Sequence, residues 1–296
     1  MNSNSADFWL HLDHTDSNAR RKLEQTGLEP DAIAALLDPE TRPRRAHFGN
    51  GDVIILRSVN QSPGAEVEDM ISLRIWLTRE RIITVVLRNL QLVTEARQRI
   101  ADGMGESSAP DLFLWLANTI SERLRETVRS AEVELEDAED KMLETYDASL
   151  ANVFREQLRQ AVALRRYAEP QLQALKDLQD NPPDWINKPR RLRLREIVNN
   201  HQRSLETLIA TREHISAALD QLNTMIADRM QRTSQALTIV ATIFLPLNLI
   251  GALFGTNVGG IPYGGDPMGF WLLTGGFTLA FAILLVVAYT YRNRWL

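Results

Sequence analysis

The residues most able to do chemistry are polar side chains inside an uncharged, apolar segment near the C-terminus. Residues 236–254 contain no charged side chain, yet they include Thr238, Thr242 and Asn248. An Asn side chain that faced lipid would leave its amide without hydrogen-bond partners, so it must face another helix or water. We therefore expect several copies of the chain to bring this segment together.

Helical spacing places five residues of this region on one stripe, in which small or polar residues alternate with leucine. The five are Ser234, Leu237, Ala241, Leu245 and Asn248. Around a symmetry axis such a stripe would line a narrow pore, with the leucines and the alanine as a hydrophobic constriction. A packed helix interface, in which one buried Asn fixes the register, explains the same spacing equally well.

Two uncharged stretches, residues 236–254 and 270–289, have the length of about 20 residues that a helix needs to cross a bilayer. A central charge would add about 3 kcal/mol to the cost of insertion. Arginines flank this pair of stretches, and the connecting loop has no Lys or Arg. The flanking arginines are Arg229, Arg232, Arg292 and Arg294. We predict a membrane hairpin with both termini in the cytoplasm.

The charge balance separates the hairpin from the rest of the chain. From Ala236 onward the only charged residues are Asp266, Arg292 and Arg294, so the preceding part holds 31 basic and 37 acidic residues. An acidic excess argues against nucleic acid as a partner, because nucleic-acid binding normally needs a clustered basic face. The absence of cysteine excludes disulfides and thiolate zinc sites.

No catalytic arrangement is present, and we predict that the chain is not an enzyme. It has no phosphate-binding glycine loop with a lysine, no His-Glu-x-x-His and no Gly-x-Ser-x-Gly. His11, Asp13 and His14 lie together, but the two histidines of a strand with this spacing point to opposite faces. We expect a structural role for them. The other histidines, His47, His201 and His214, are isolated.

The predicted fold class is α+β, and it begins with an α/β domain over residues 1–108. Apolar residues alternate at 71–77 and 82–87 on either side of residues 78–81, which predicts a β-hairpin. The predicted strands cover 8–12, 44–48, 53–59, 71–77 and 82–87, and the predicted helices cover 18–26, 31–37 and 91–101.

Long charged helices are predicted over residues 109–235, ahead of a membrane part at 236–296. The helix at 112–144 ends in a strongly acidic run, which fits a solvated face or a surface that gathers cations. A second helix, at 150–179, contains Pro170, where we expect a kink. A third runs from Arg190 without Gly or Pro until Pro246, so a stalk continues into the first membrane span.

The outer end of the first span resembles a known transporter family. Residues 254–257, Phe-Gly-Thr-Asn, look like the Gly-Met-Asn signature of CorA-type divalent metal ion transporters. With residues 258–262, Val-Gly-Gly-Ile-Pro, they are similar to the variant in the ZntB zinc transporter branch. Thr256 replaces the Met of the magnesium-selective majority, which favours the zinc branch. Further similar motifs lie at residues 9–13, 41–44, 165–167, 170–171, 244–246 and 294–296.

The resemblance implies a homopentamer in the bacterial inner membrane that transports divalent cations, zinc first among them, and needs no cofactor. Five first spans would line the pore, five second spans would face lipid, and the stalks would form a cytoplasmic funnel capped by the α/β domains. Gly255, Thr256 and Asn257 would form the outer filter, where Asn257 contacts the hydrated ion through water. Arg292 and Arg294 would form a basic collar or bind lipid headgroups.

Two other functions remain open. A magnesium or cobalt channel of the same architecture is one, because oxygen and amide ligands do not favour zinc over its neighbours. A membrane-anchored coiled-coil scaffold is the other, and it predicts no ion flux and leaves Asn257 unexplained. Asp266, the one formal charge in the external loop, either concentrates cations there or stabilises a turn.

Overall fold

The computed structural model describes residues 8–13, 18–39, 41–62, 64–66, 69–144, 147–256 and 266–295, without the side chains of residues 273, 285 and 287–295. The chain divides into two compact units, Met1–Leu222 (unit 1) and Asn223–Leu296 (unit 2). The strands are β1 (Trp9–Asp13), β2 (Arg44–Phe48), β3 (Gly51–Val59), β4 (Met70–Leu77) and β5 (Ile82–Val86). The helices are α1 (Ala19–Glu24), α2 (Pro30–Leu37), α3 (Gln91–Ala101), α4 (Ala109–Glu144), α5 (Leu150–Asp180), α6 (Lys188–Phe254) and α7 (Gly269–Trp295).

The five strands form one mixed sheet in the order β1-β5-β4-β3-β2. β1 pairs with β5 in parallel, and the other neighbours are antiparallel. The predicted hairpin is confirmed: β4 and β5 are joined by a tight turn in which the Thr78 N–H donates to the Arg81 carbonyl at 2.9 Å. The Thr78 hydroxyl accepts from the Arg81 N–H at 3.1 Å, which fixes the turn.

Helices cover both faces of the sheet. α1 and α2 contribute Leu23 and Leu36 to a core that includes Val53, Ile55 and Ile83. On the opposite face, Ile54, Leu56, Leu73 and Ile75 are equally buried, and α4 and α5 contact the sheet. Every residue of β4 is therefore buried, its polar ones included.

Arg74 shows what this two-sided burial requires. Its side chain is fully buried in β4, and its Nη2 donates to the Asp38 carbonyl at 2.7 Å. Burial lowers the pKa of the guanidinium from its ordinary value, because removal from water disfavours the charged form.

Arg57 joins the sheet to α5 through residues of three of the motifs found in the sequence. Its backbone N–H donates to Gln171 Oε1 at 2.6 Å, and its guanidinium lies 4.1 Å from the centre of the Tyr167 ring. The same guanidinium donates to the Thr41 carbonyl at 3.0 Å. Residues 41–44 and 165–171 thus anchor α5 to the edge of the sheet.

The long helices follow the predicted pattern. In α4 the residues at a spacing of four are buried, and they are Leu116, Ile120, Leu124 and Val128. α5 continues for ten residues beyond Pro170, and α6 continues through Pro246 to Phe254. The mixed α/β part and the long helix are as predicted, while the domain limits at 108 and 235 stay predictions.

His201 connects three of these helices. Its Nε2 lies 3.0 Å from the Ala168 carbonyl of α5, and its Nδ1 lies 3.3 Å from the Ser121 hydroxyl of α4. A carbonyl only accepts, so Nε2 carries the proton. The Ser121 hydroxyl beside Nδ1 donates its own proton to the Ala117 carbonyl at 3.0 Å. Burial lowers the pKa of His201 to about 4.

The apolar stripe of α6 is buried only as far as unit 1 extends. Leu205, Leu208, Ile215 and Leu222 are buried, whereas Met230 is 69% exposed. The change coincides with the boundary after Leu222, so the stripe is a core element of unit 1 and not a continuous one.

Candidate functional site

The candidate site lies on the part of α6 that belongs to unit 2. Of the helices in the described part of the chain, α6 is the one long and apolar enough, by length and composition, to cross a bilayer. A shorter apolar run, Gly269–Leu284, lies in α7. The segment has these properties because residues 236–254 lack charge and carry Leu, Ile, Val and Phe around the whole helix.

One face of this segment is partly covered within unit 2. Ile243 is only 7% exposed, and its neighbours on the same face have reduced exposure compared with the rest of the segment. Those neighbours are Ile239, Leu247, Ile250 and Phe254. With a rotation of about 100° per residue, these positions form one stripe of the helix.

The predicted stripe lies on the opposite face. Ser234, Leu237, Ala241, Leu245 and Asn248 are all exposed, and the two leucines reach 66% and 71%. The centre of this stripe is Ala241, about 160° around the helix from Ile243 on the shorter side. In the single chain, therefore, the five predicted residues share one exposed face that no other described residue covers.

The polar side chains of the segment differ in how they are satisfied. The Thr238 hydroxyl donates to the Ser234 carbonyl at 2.9 Å, and the Thr242 hydroxyl donates to the Thr238 carbonyl at 2.8 Å. Such bonds remove the cost of a hydroxyl in an apolar setting. Among the described residues, none hydrogen-bonds the side chain of Asn248, so its amide is available to water or to another copy.

The helix ends at the predicted filter motif. The Gly255 N–H donates to the Gly251 carbonyl at 2.9 Å, and the Thr256 hydroxyl donates to the Leu253 carbonyl at 2.7 Å. A Cβ on Gly255 would lie 3.3 Å from the Gly251 carbonyl oxygen, which is a tight contact. The hydrogen bond from the Thr256 hydroxyl therefore satisfies a backbone carbonyl at the end of the helix. Asn257 lies outside the described residues.

Of the remaining predicted positions, the structure describes the side chain of Asp266 but not those of the two arginines. Asp266 Oδ1 accepts from the Met268 N–H at 2.8 Å, just ahead of α7, which is the turn role and not a bare charge. The side chains of Arg292 and Arg294 lie outside the described part of the chain. The predicted filter and collar residues therefore stay predictions.

Sequence reasoning missed a groove beside the predicted stripe. Its volume is about 490 Å³, and it is lined by Thr238, Ala241, Thr242, Leu245, Pro246 and Leu249. The signal that could have found it is Pro246, a residue without an N–H in the middle of an apolar helix.

Of the histidines near the N-terminus, His11 makes a buried structural contact. His11 Nδ1 lies 2.8 Å from the Thr84 hydroxyl, which also accepts from Trp9 Nε1 at 2.9 Å. Burial lowers the pKa of His11 to about 4. His14 lies outside the described residues. No group of three or more His, Asp or Glu suited to a metal occurs within the residues that the structure describes.

The sequence predicted that His214 is isolated, but the structure gives it a contact. Its Nε2 lies 3.1 Å from Glu139 Oε1, at the acidic end of α4. This exposed contact gives one member of the acidic run a partner within the chain.

Comparison with known proteins gives a consistent result. The family model for the CorA-like Mg2+ transporter protein matches residues 6–289. The zinc transport protein ZntB of Pectobacterium carotovorum is 29% identical over 293 residues, which is 97% of this chain and 88% of that protein. The divalent cation transporter CmaX of Pseudomonas aeruginosa is 34% identical over 269 residues, covering 90% and 81%.

A solved structure has the same fold. The full-length CmaX protein superposes with a TM-score of 0.81 and 32% sequence identity, over 96% of this chain and 88% of that one. The match extends through both units, so the likeness is not confined to the α/β part. The chain belongs to the CorA family of divalent metal cation transporters, and it is a membrane transporter and not an enzyme.

Proposed function

We propose that this chain is a zinc transporter of the bacterial inner membrane, assembled as a homopentamer with both termini in the cytoplasm. The observation that carries the proposal is the exposed face formed by Ser234, Leu237, Ala241, Leu245 and Asn248. This face lies opposite the covered one, so five copies can direct it to a common axis without uncovering Ile243. The second span, at 270–289, completes the hairpin and faces lipid.

The pathway begins at an outer filter of Gly255, Thr256 and Asn257. Five Asn257 carboxamides, together with the carbonyls of Gly255 and Thr256, form a ring of neutral oxygen acceptors. Such a ring binds the water shell of a dication without removing it, which matters because small divalent ions dehydrate reluctantly. The Thr256 hydroxyl donates its proton to the Leu253 carbonyl, so its oxygen can join this ring only as a further acceptor.

Below the filter, the Asn248 amides provide a second polar ring, and Leu245, Ala241 and Leu237 form an apolar constriction that closes by excluding water. Arg292 and Arg294 form a basic collar at the cytoplasmic surface. The α/β domain (1–108) and the stalk (109–235) form the cytoplasmic funnel. Zinc is chosen on two grounds, Thr256 in place of Met and the similarity to ZntB over 97% of the chain.

Zinc flux into proteoliposomes tests the proposal. Asn257→Ala is expected to reduce flux more than about tenfold, because the first binding ring for the hydrated ion is lost, while the oligomer stays intact. Asn223→Ala, at an exposed amide of the stalk that belongs to neither the filter nor the stripe, is the matched control and keeps wild-type flux. Unchanged flux in Asn257→Ala contradicts the filter assignment, and no flux in the wild type contradicts transport.

Magnesium is the second candidate ion, because the matching family model describes a CorA-like Mg2+ transporter and CmaX is described only as a divalent cation transporter. Competition of magnesium, cobalt and cadmium against zinc in the same vesicles separates the two. Inhibition of zinc flux by an equal concentration of magnesium would favour the magnesium channel.

A further inference from the structure

The groove beside the predicted stripe and a protruding aromatic side chain lie on the same helix, and together they describe how one copy meets the next. The groove is centred about 70° to one side of Ala241, and Phe244 projects about 60° to the other side. Phe244 is 52% exposed in the single chain. We propose that the Phe244 side chain of each copy packs into this groove of the neighbouring copy, an inference that rests on the proposed oligomer.

The angles suit a ring of copies. In a fivefold ring, each neighbour lies about 54° to either side of the direction toward the axis. With Ala241 directed at the axis, the groove meets one neighbour and Phe244 meets the other. Such a contact is heterologous, because the two surfaces differ, and it closes only when the rotation completes a circle.

Backbone chemistry argues against lipid as the occupant of the groove. Pro246 has no N–H, so the Thr242 carbonyl loses its partner within the helix. A carbonyl without its helical partner is tolerated at this depth only where protein or water covers it, so this face is not left against acyl chains. The groove also shares Ala241 and Leu245 with the face proposed to surround the axis, so protein that covers one continues over the other.

Charge and shape point to a second copy of this helix and not to a soluble partner. Neither the groove nor the flank around Phe244 has a charged residue, since none occurs from 236 to 254. Along the helix, Phe244 lies at nearly the same height as Thr242 and Leu245, about 1.5 Å per residue apart. Copies related by rotation alone therefore bring these residues level.

The absence of cysteine in the whole chain permits a clean cross-linking test. In the full-length protein in native membranes, Phe244→Cys combined with Thr242→Cys is expected to give, on oxidation with copper phenanthroline, a ladder of up to five bands that a reductant collapses. The two cysteines of one helix cannot pair with each other because residues two apart point in different directions. Each single variant is expected to stay monomeric, since a heterologous contact never brings a residue against its own copy.

A second double-cysteine variant keeps the test usable if the first variant does not assemble. Val240→Cys with Thr238→Cys lies one turn toward the cytoplasm on the same two flanks, and it is expected to give the same ladder. The matched control is Phe244→Cys with Ile250→Cys, where residue 250 belongs to the covered face and no ladder is expected.

Three results would overturn the inference. They are dimers from Phe244→Cys alone, a ladder from the Ile250 control pair, or monomers from both double variants while zinc flux equals that of the wild type. A ladder in protein whose wild type transports no zinc would support the contact and reject the transport proposal, so the two failures are distinguishable.

Discussion

The apolar side chains of the two units have different surroundings. In unit 1 they are buried by the chain itself: Phe113, Phe154 and Ile75 are at most 1% exposed. In unit 2 the described apolar residues are mostly exposed, and Leu245 and Trp271 each reach 71%. A soluble chain rarely exposes so continuous an apolar surface, so unit 2 requires a bilayer or further copies where unit 1 requires neither.

The polar groups differ in the same way. Unit 1 holds Arg74, His201 and Ser121 in its interior, and each makes a hydrogen bond within the chain. In unit 2, Asn248 has no side-chain partner in the described part of the chain, and Pro246 has no N–H to donate to the Thr242 carbonyl. The exposed amide of Asn248 can therefore bind another copy, water or an ion.

The largest effect is expected in the core of unit 1. If shortening a buried side chain there left the free energy of unfolding unchanged, the contrast between the two units would be wrong. Phe113→Ala removes a ring that is 1% exposed, and we expect the free energy of unfolding to fall by about 3–5 kcal/mol, because a cavity remains. Leu143→Ala, at a residue 70% exposed in the same helix, should change it by less than about 0.5 kcal/mol. Denaturant unfolding of the full chain in detergent, followed by circular dichroism, measures both.

The neutral His201 makes the stability of unit 1 depend on pH. Its pKa is about 4 when folded and 6.5 in the unfolded chain, so protons bind the unfolded chain first as the pH falls. The free energy of unfolding should therefore decrease by about 3 kcal/mol between pH 6.5 and 4 through this group.

Substitution isolates this contribution from that of other groups. His201→Gln should flatten the pH dependence of the unfolding free energy by that amount. An identical slope in His201→Gln and wild type would show that burial does not hold the ring neutral.

In unit 2 we expect a substitution at an exposed polar residue to change the rate of transport and not the stability of the fold. Asn248→Leu removes the polar ring within the span, and we expect zinc flux to fall about fivefold to tenfold, which is about 1–1.4 kcal/mol, with the oligomer preserved. Flux into proteoliposomes and the mass of the detergent-solubilised oligomer are the measurements. A monomeric product would show that Asn248 acts in packing, as the alternative for the stripe proposes.

The smallest expected effect concerns ion pairs within unit 1. Arg190 Nη2 lies 2.8 Å from Asp111 Oδ2, and this hydrogen bond lowers the pKa of the Asp111 carboxyl. Asp111→Asn should cost about 1 kcal/mol near neutral pH. The cost should shrink as the pH falls below 3.8, where the unfolded carboxyl takes up a proton, and should vanish once the pH is below the lowered pKa of the folded carboxyl.

The matched control is an exposed pair on α5. Arg165 Nε lies 3.2 Å from Glu169 Oε2, one helical turn away, and both side chains are largely solvated. Glu169→Gln should cost less than about 0.5 kcal/mol, because water and salt screen such a pair. Equal costs for the two variants would show that partial burial adds nothing to the Arg190–Asp111 contact.

Much of unit 1 was predictable because its signals are local. The alternation at 71–77 and 82–87 identified β4 and β5, and β2 and α3 begin and end where predicted. The order of the strands was not predictable, since pairing β1 in parallel with β5 depends on contacts more than seventy residues apart. The burial of Arg74 also needed the structure, because only packing on both faces of β4 encloses it.

The candidate site shows the same division. The sequence by itself determined an uncharged helix with Asn248 and four further residues on one stripe, because composition and a period of 3.6 are properties of the chain. It could not determine which face would be covered, and so did not identify the groove beside Pro246. That required the tertiary structure, because covering Ile243 and exposing Leu245 depends on what packs against the helix, and side-chain spacing alone leaves every face equivalent.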